Sequence, residues 1–177
     1  MERRKIYHAR LMYARPFIDT LDFASNGREI SGKMPVSELP RLQDVLESPQ
    51  GILSYTVFGG VDKLGSHFLD INVAGSCQLR CQRCLEGMEY QVQLETRLLL
   101  RDQASLDALD EADVEEEYDS ILAEAHLDVL NLLEEEILLS LPIAPKHEAG
   151  ACQAAGGNNM HQEERHPFAM LANLKRN

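Results

Sequence analysis

The sequence contains no tryptophan and no long apolar run. Its aromatic residues are five Phe and five Tyr, which form no evident platform for stacking nucleic-acid bases. The longest apolar runs, such as Leu98-Leu99-Leu100, are far shorter than the roughly 20 residues that cross a membrane. No apolar stretch of signal-peptide length follows the basic N-terminus. We therefore expect a soluble, cytoplasmic protein without a membrane partner.

Positive charge is missing from one long segment. Residues 102–136 hold 14 acidic residues and no Lys or Arg, whereas the formal net charge of the whole chain is -12. The other 15 acidic residues are offset by all 17 Lys and Arg. The total charge alone argues against a nucleic-acid partner, but a near-neutral body with basic ends is compatible with one. The candidate phosphate contacts are Arg3, Arg4, Lys5, Arg80 and Arg83. The alternative is that they are solvated surface residues that bind no nucleic acid.

The familiar motifs of catalysis are also missing. There is no Gly-rich phosphate loop, no dinucleotide fingerprint and no Ser-His-Asp order. A C-x-x-C with a histidine could supply a thiol nucleophile, and paired acids could hold Mg²⁺. The acids, however, crowd a segment of low predicted order, where side chains are poorly positioned for chemistry. We expect no catalytic activity and no small-molecule substrate.

Alternating apolar and polar residues predict three strands, over 51–60, 67–75 and 88–95, with a cysteine-bearing turn between the second and third. Short extended segments are expected at 28–34 and 118–122. One helix is predicted from an N-cap at Ser37 through Leu46, and another from Leu127 to Leu141, with Asp128 near its start and prolines after it. The pattern predicts an α+β fold, an antiparallel meander with two or three helices.

The expected domain organisation is a core over 1–147, a flexible linker over 148–166 and a C-terminal amphipathic helix over 167–177. An acidic mobile loop is expected at about 102–117, as a solubilising segment or as a phosphate mimic. The apolar face of the C-terminal helix carries Phe168, Leu171 and Leu174. That face could dock on the protein's own core or, as we slightly favour, bind a partner groove.

Four cysteines raise the question of a metal. Without a signal peptide, disulfides are disfavoured because the cytosol keeps thiols reduced. Cys81 and Cys84 form a C-x-x-C on the predicted turn, a spacing that lets both sulfurs face one zinc ion. His147 and Cys152 could complete the site, which leaves Cys77 spare. Unmetallated thiols are the alternative, and a thioredoxin-like redox pair is disfavoured because no βαβ unit precedes the motif.

Three segments together resemble a known family. They are CQRCL at residues 81–85, LEEEILLSLPIAPKH at 133–147 and HPFAMLANLKR at 166–176, and in this order they resemble the YceD family, named for large ribosomal RNA subunit accumulation. The resemblance implies a bacterial-type, non-catalytic ribosome biogenesis factor that supports synthesis, processing or stability of 23S ribosomal RNA. Its implied partners are that RNA, ribosomal proteins or assembly factors. In some members the C-x-x-C pairs with later cysteines in what looks like a zinc site. The rival hypothesis is a zinc-stabilised protein-interaction module without direct RNA contact.

Overall fold

The computed structural model describes residues 7–8, 15–110, 118–148 and 150–152. Over these residues the chain is a mixture of strands and helices with a largely antiparallel sheet, which confirms the predicted α+β class. The strands are β1 (Tyr7–His8), β2 (Phe17–Ile18), β3 (Glu29–Pro35), β4 (Leu46–Ser48), β5 (Ile52–Val61), β6 (His67–Arg80), β7 (Gly87–Arg101), β8 (Asp119–Leu122) and β9 (Leu127–Asp128). The helices are α1 (Thr20–Ser25), α2 (Gln103–Asp110) and α3 (Val129–Ser140).

Seven of the described strands form the main sheet, in the order β1-β3-β5-β6-β7-β8, with β4 paired to the far end of β6. Strands β3, β5, β6 and β7 are antiparallel neighbours, so the predicted meander is confirmed. Strands β6 and β7 are longer than predicted, at 14 and 15 residues. Both outer pairs, β1 with β3 and β7 with β8, are parallel and were not predicted. Strands β2 and β9 form a separate antiparallel pair.

The core lies between one face of this sheet and helix α3. Alternate residues of β5, β6 and β7 point into it, as their apolar-polar alternation predicts. Helix α3 contributes the apolar stripe that the sequence showed. Its N-cap is Asp128, whose side chain accepts hydrogen bonds from the amides of Leu130 and Asn131. The buried apolar residues of these elements include Leu53, Tyr55, Val57, Leu69, Ile71, Val73, Val92, Leu130, Leu133 and Ile137.

The predicted helix from Ser37 to Leu46 is wrong. The segment instead contains two short 3-10 turns, Val36–Glu38 and Leu42–Asp44, followed by strand β4. The buried carboxylate of Glu134 on α3 accepts a hydrogen bond from the Leu42 amide at 3.0 Å. In a continuous helix that amide would donate to a backbone carbonyl of the preceding turn instead. Leu39 and Leu42 still reach the core. Tertiary contacts, rather than helix propensity, therefore decide the local conformation.

The acidic loop predicted at about 102–117 is only partly described by the structure, and its described residues include a helix. Residues Gln103–Asp110 form α2, in front of which the Asp102 carboxylate accepts a hydrogen bond from the Ser105 amide at 2.8 Å. Hydrogen bonds from Ser105 also lower the pKa of Asp102. The prediction of a mobile loop is wrong for this half, since a side-chain cap favours a helix there. Residues 111–117 lie outside the described residues.

The predicted strand over 118–122 is confirmed as β8, which lies parallel to β7. The predicted helix from Leu127 begins two residues later, because Leu127 and Asp128 form β9 against β2. Most of the predicted linker, from residue 153 onward, and the predicted C-terminal helix over 167–177 lie outside the described residues. Among the helices that the structure describes, none combines the length and apolar character needed to span a membrane.

Candidate metal centre

The turn between β6 and β7 presents two sulfurs. Its backbone is closed by a hydrogen bond from the Leu85 amide to the Cys81 carbonyl and one from the Cys81 amide to the Glu86 carbonyl, both 2.9 Å long. Leu85 adopts the left-handed conformation, with φ of 63°, which makes the chain reverse sharply after Cys84. The Arg83 amide lies 3.5 Å from the Cys81 sulfur. Cys81 and Cys84 are both buried by this turn.

A second segment reaches the turn from the end of α3. Helix α3 ends at Ser140, before Pro142 and Pro145. The carbonyl of Pro145 then accepts a hydrogen bond from the Gln82 amide at 2.9 Å, in the middle of the C-x-x-C. This bond fixes the path of the chain, so that His147 and Cys152 arrive beside the two buried sulfurs.

The ligating atoms of Cys81, Cys84, His147 and Cys152 all lie within 4.8 Å of one another. The Cys81 and Cys152 sulfurs are 3.5 Å apart. Nδ1 of His147 lies 3.4 Å from the Cys84 sulfur and 3.6 Å from the Cys152 sulfur. In a tetrahedral zinc site with Zn–S near 2.3 Å and Zn–N near 2.0 Å, ligand atoms are about 3.5–3.8 Å apart. The three-Cys, one-His donor set therefore fits a four-coordinate metal ion in chemistry, and the distances of 3.4, 3.5 and 3.6 Å are close to the spacing of such a site.

The outer nitrogen of the histidine is held as well. Nε2 of His147 lies 3.2 Å from the Gly87 carbonyl oxygen, to which it donates when it carries the ring proton. That arrangement leaves Nδ1 as a lone-pair donor directed at the sulfurs. Backbone carbonyls commonly orient metal-bound histidines in this way. The first residue of β7 thus positions a ligand that lies 60 residues later in the sequence.

The surroundings of the cluster favour negative charge on the sulfurs of Cys81 and Cys152, whose pKa values are lowered. The pKa of Cys84 is raised instead, because a hydrogen bond from the Glu86 amide is outweighed by burial and by the sulfurs of Cys152 and Cys81. Burial disfavours the thiolate of Cys81, but hydrogen bonds from the Cys84 and Arg83 amides outweigh it and lower the pKa of Cys81 to about 5. The Arg83 guanidinium interacts with the Cys152 sulfur, which raises the pKa of Arg83. The sulfurs of Cys152 and Cys81 in turn raise the pKa of His147. A thiolate is the form that a metal binds.

The other predicted site residues are placed differently. Cys77 is buried on β6 in the core and is not part of the cluster. The side chain of Arg80 is paired with Glu47 at 2.7 Å, and that of Arg83 is beside Cys152. Neither arginine was predicted to have such a partner. The remaining candidates, Arg3, Arg4, Lys5, Phe168, Leu171 and Leu174, lie outside the described residues.

Sequence reasoning missed an apolar groove beside the cluster. It lies between the end of α3 and the cysteine turn, and Leu139 and Ile143 stand exposed along it. A leucine outside the buried stripe of α3 and an isoleucine between two prolines were the available signals, and neither indicates a groove by itself.

The comparisons with known proteins agree with the resemblance read from the sequence. The sequence model of the family described as large ribosomal RNA subunit accumulation protein YceD matches residues 69–175, which include all four cluster residues. A Haemophilus influenzae protein of the same name is 28% identical over 171 residues, which cover 89% of this chain and 94% of the relative. No solved structure matches the chain. Because the family match covers more than half of the sequence, the chain belongs to the YceD family.

Proposed function

We propose that this protein supports the accumulation of large-subunit (23S) ribosomal RNA as a non-catalytic ribosome biogenesis factor, through contact with RNA or with ribosomal proteins. Membership of the YceD family carries the proposal, because the relative named for that role aligns along nearly its whole length. The proposed role covers synthesis, processing or stability of the RNA, in the bacterial cytoplasm.

The donor set supports a structural metal rather than a catalytic one. Four protein ligands, Cys81, Cys84, His147 and Cys152, would fill a tetrahedral zinc ion. Catalytic zinc sites usually keep one position open for water or substrate. Zinc in this centre would therefore fasten the segment after α3 to the β6–β7 turn and leave chemistry to other factors. Its contribution would be the shape of the surface around the turn.

Charge balance gives Arg83 a part in the centre. Three thiolates and one Zn²⁺ leave a net charge of about −1, by the ordinary charges of these groups. The Arg83 guanidinium beside Cys152 offsets that charge. Because the Arg83 guanidinium interacts with Cys152, Arg83 is less available to bind a phosphate. The ion pair with Glu47 reduces the availability of Arg80 to a smaller extent, because an exposed ion pair contributes little energy. The rival function, a zinc-stabilised protein-interaction module without direct RNA contact, requires neither arginine to be free.

The metal is tested by elemental analysis of the purified full-length protein. We expect one zinc per chain in the natural protein and less than a tenth of that in Cys84→Ser and His147→Ala. Cys77→Ala is the matched control, since it removes a buried cysteine outside the cluster. Equal zinc in Cys84→Ser and the natural protein would contradict the assigned ligands.

Crosslinking and sequencing of bound RNA in growing cells distinguishes the two functions. We expect enrichment of 23S sequences with the natural protein and a clear fall when Arg3, Arg4 and Lys5 are changed to Glu. Arg41→Glu serves as the control, because it reverses the charge of an exposed arginine that was not a candidate RNA contact and that pairs with Glu135 at 2.7 Å. Absence of 23S enrichment, together with co-purified ribosomal proteins, would support the interaction module instead.

Catalysis is tested with purified protein and precursor ribosomal RNA. We expect no change in the RNA over many protein equivalents of substrate. Turnover of the precursor by the purified protein, lost in a point variant, would overturn the non-catalytic assignment.

In cells that lack the natural gene, the ratio of 23S to 16S RNA should fall and should be restored by the natural chain.

A further inference from the structure

The groove beside the metal centre is apolar and open. It has a volume of about 430 Å³ and is lined by Val45, Leu79, Gln82, Leu139, Ile143 and Pro145. Leu139 is 78% exposed and Ile143 is fully exposed, so both large side chains lie in water along the groove. Amphipathic helices bind in grooves lined by apolar side chains of this kind.

The described chain ends at the edge of this groove. Its last residue, Cys152, has its sulfur 3.5 Å from that of Cys81, and the next residue after Cys81, Gln82, lines the groove. Residues 153–166 separate Cys152 from Pro167. Fourteen extended residues reach about 45 Å, whereas Cys152 already lies beside a residue next to the groove lining. The chain that follows Cys152 therefore has ample length to return its last residues to the groove.

The sequence of those last residues matches an apolar groove. Phe168, Leu171 and Leu174 recur at intervals of three and would lie on one side of a helix, whereas Lys175 and Arg176 are charged. Short amphipathic helices commonly bind other proteins by laying such a face in an apolar groove. Nothing else between Cys152 and the C-terminus carries three large apolar residues at this spacing.

We propose that residues 167–175 of the same chain bind in this groove. Tethering favours the intramolecular occupant, because a connection of 14 residues between Cys152 and Pro167 holds the segment at an effective concentration of roughly 1 mM. An intrinsic dissociation constant of about 0.1 mM would then keep the groove filled about nine-tenths of the time. The inference holds whether the protein contacts RNA or protein, and it makes the metal centre the anchor from which the segment returns.

Methyl NMR of the full-length, zinc-loaded protein tests the proposal. We expect nuclear Overhauser effects between the Phe168 ring and the methyl groups of Ile143 and Leu139, unchanged on tenfold dilution. The triple variant Phe168→Ser, Leu171→Ser, Leu174→Ser should abolish them and shift the Ile143 methyl signals. Ile143→Glu should release the segment from the other side and make trypsin cleave after Lys175 about tenfold faster, as the bound fraction in the preceding estimate implies.

Leu64→Glu is the matched control for Ile143→Glu, since Leu64 is 92% exposed in the turn between β5 and β6. It should leave the cleavage rate and the Overhauser effects unchanged. Zinc content and circular dichroism equal to those of the natural protein show that each variant folds. Two results would overturn the proposal: Phe168–Ile143 contacts that vanish on dilution, which mean a second copy fills the groove, and Ile143 signals that ignore the triple variant, which mean that the segment does not bind there.

Discussion

The sheet core and the cysteine end are built on different principles. The sheet core, formed by the buried residues of β5, β6, β7 and α3, holds apolar side chains that interdigitate between sheet and helix. In the cysteine end, residues 81–87 and 142–152, the two segments are joined by one backbone hydrogen bond among the residues that the structure describes, and by the four cluster side chains. Leu85 and Ile143 within it, and Leu139 beside it, remain exposed.

The difference teaches where each region obtains its stability. Burial of apolar surface stabilises the sheet core whatever ions are present. The cysteine end leaves its large apolar side chains Leu85 and Ile143 exposed, so burial of apolar surface stabilises it less, and a bound metal would supply stability in its place. We expect the two regions to respond differently to substitution, to chelators and to pH.

Loss of a ligand should have the largest effect. In Cys84→Ser, we expect the zinc to be lost and the thermal midpoint to fall by about 12 °C, because free metal at 1,000 times its dissociation constant stabilises a fold by roughly 4 kcal/mol. Amide exchange should speed up mainly over 81–87 and 142–152, as measured by mass spectrometry. A uniform increase over the whole sheet would contradict the division between the two regions.

Truncation in the sheet core should act through packing alone. Leu133 is fully buried on α3, and Leu133→Ala should cost about 3 kcal/mol of unfolding free energy in urea titrations, the usual cost of such a cavity. Leu64→Ala is the control, because Leu64 is exposed in the turn between β5 and β6, and it should change stability by less than about 0.5 kcal/mol. Both variants should keep their zinc. Release of zinc by Leu133→Ala would show that the two regions are coupled.

The first residues of α3 offer a smaller test. The Asp128 carboxylate caps the helix and pairs with Arg15 at 2.9 Å. Asp128→Ala should cost about 1 kcal/mol of unfolding free energy, because the amides of Leu130 and Asn131 lose their acceptor. Asp128→Asn should retain most of that stability, since the amide oxygen still accepts while the ion pair is lost. An equal loss in both variants would mean that the ion pair dominates.

The smallest expected effect depends on pH. Burial, followed by repulsion from Asp119 and Glu135, raises the pKa of Glu136. A carboxyl whose pKa is higher in the folded state stabilises the fold below its unfolded pKa of 4.5, and this contribution is lost as the pH rises through the folded value. Glu136→Gln should therefore raise stability at pH 7 by about 0.5 kcal/mol and change nothing at pH 4. Equal effects at both pH values would contradict the charge explanation.

The sheet core was largely predictable because one buried face forces a period of two. The alternation in β5, β6 and β7 predicted the meander and its inward residues, and Asp128 marked the start of α3. The Ser37 helix failed because the buried carboxylate of Glu134, 92 residues away from Leu42, takes the Leu42 amide. No local pattern contains that contact.

The cysteine end was predictable in its members and not in its surroundings. Zinc chemistry pairs a C-x-x-C with later His and Cys residues, and His147 and Cys152 were the nearest candidates after the prolines. The partner of Arg83 and the exposure of Ile143 follow from how two distant segments meet. A sequence shows which side chains are charged or apolar, but not which ones solvent reaches.

The 71-residue separation between Cys81 and Cys152, whose sulfurs are in contact, has a consequence for the order of events during synthesis. A growing chain contains the C-x-x-C long before it contains Cys152, so a zinc ion bound at that stage would have only two cysteine ligands and would exchange readily. Full coordination waits until β7, β8 and α3 have been made and have folded back. Binding by all four side chains would thus require that the intervening chain has already folded.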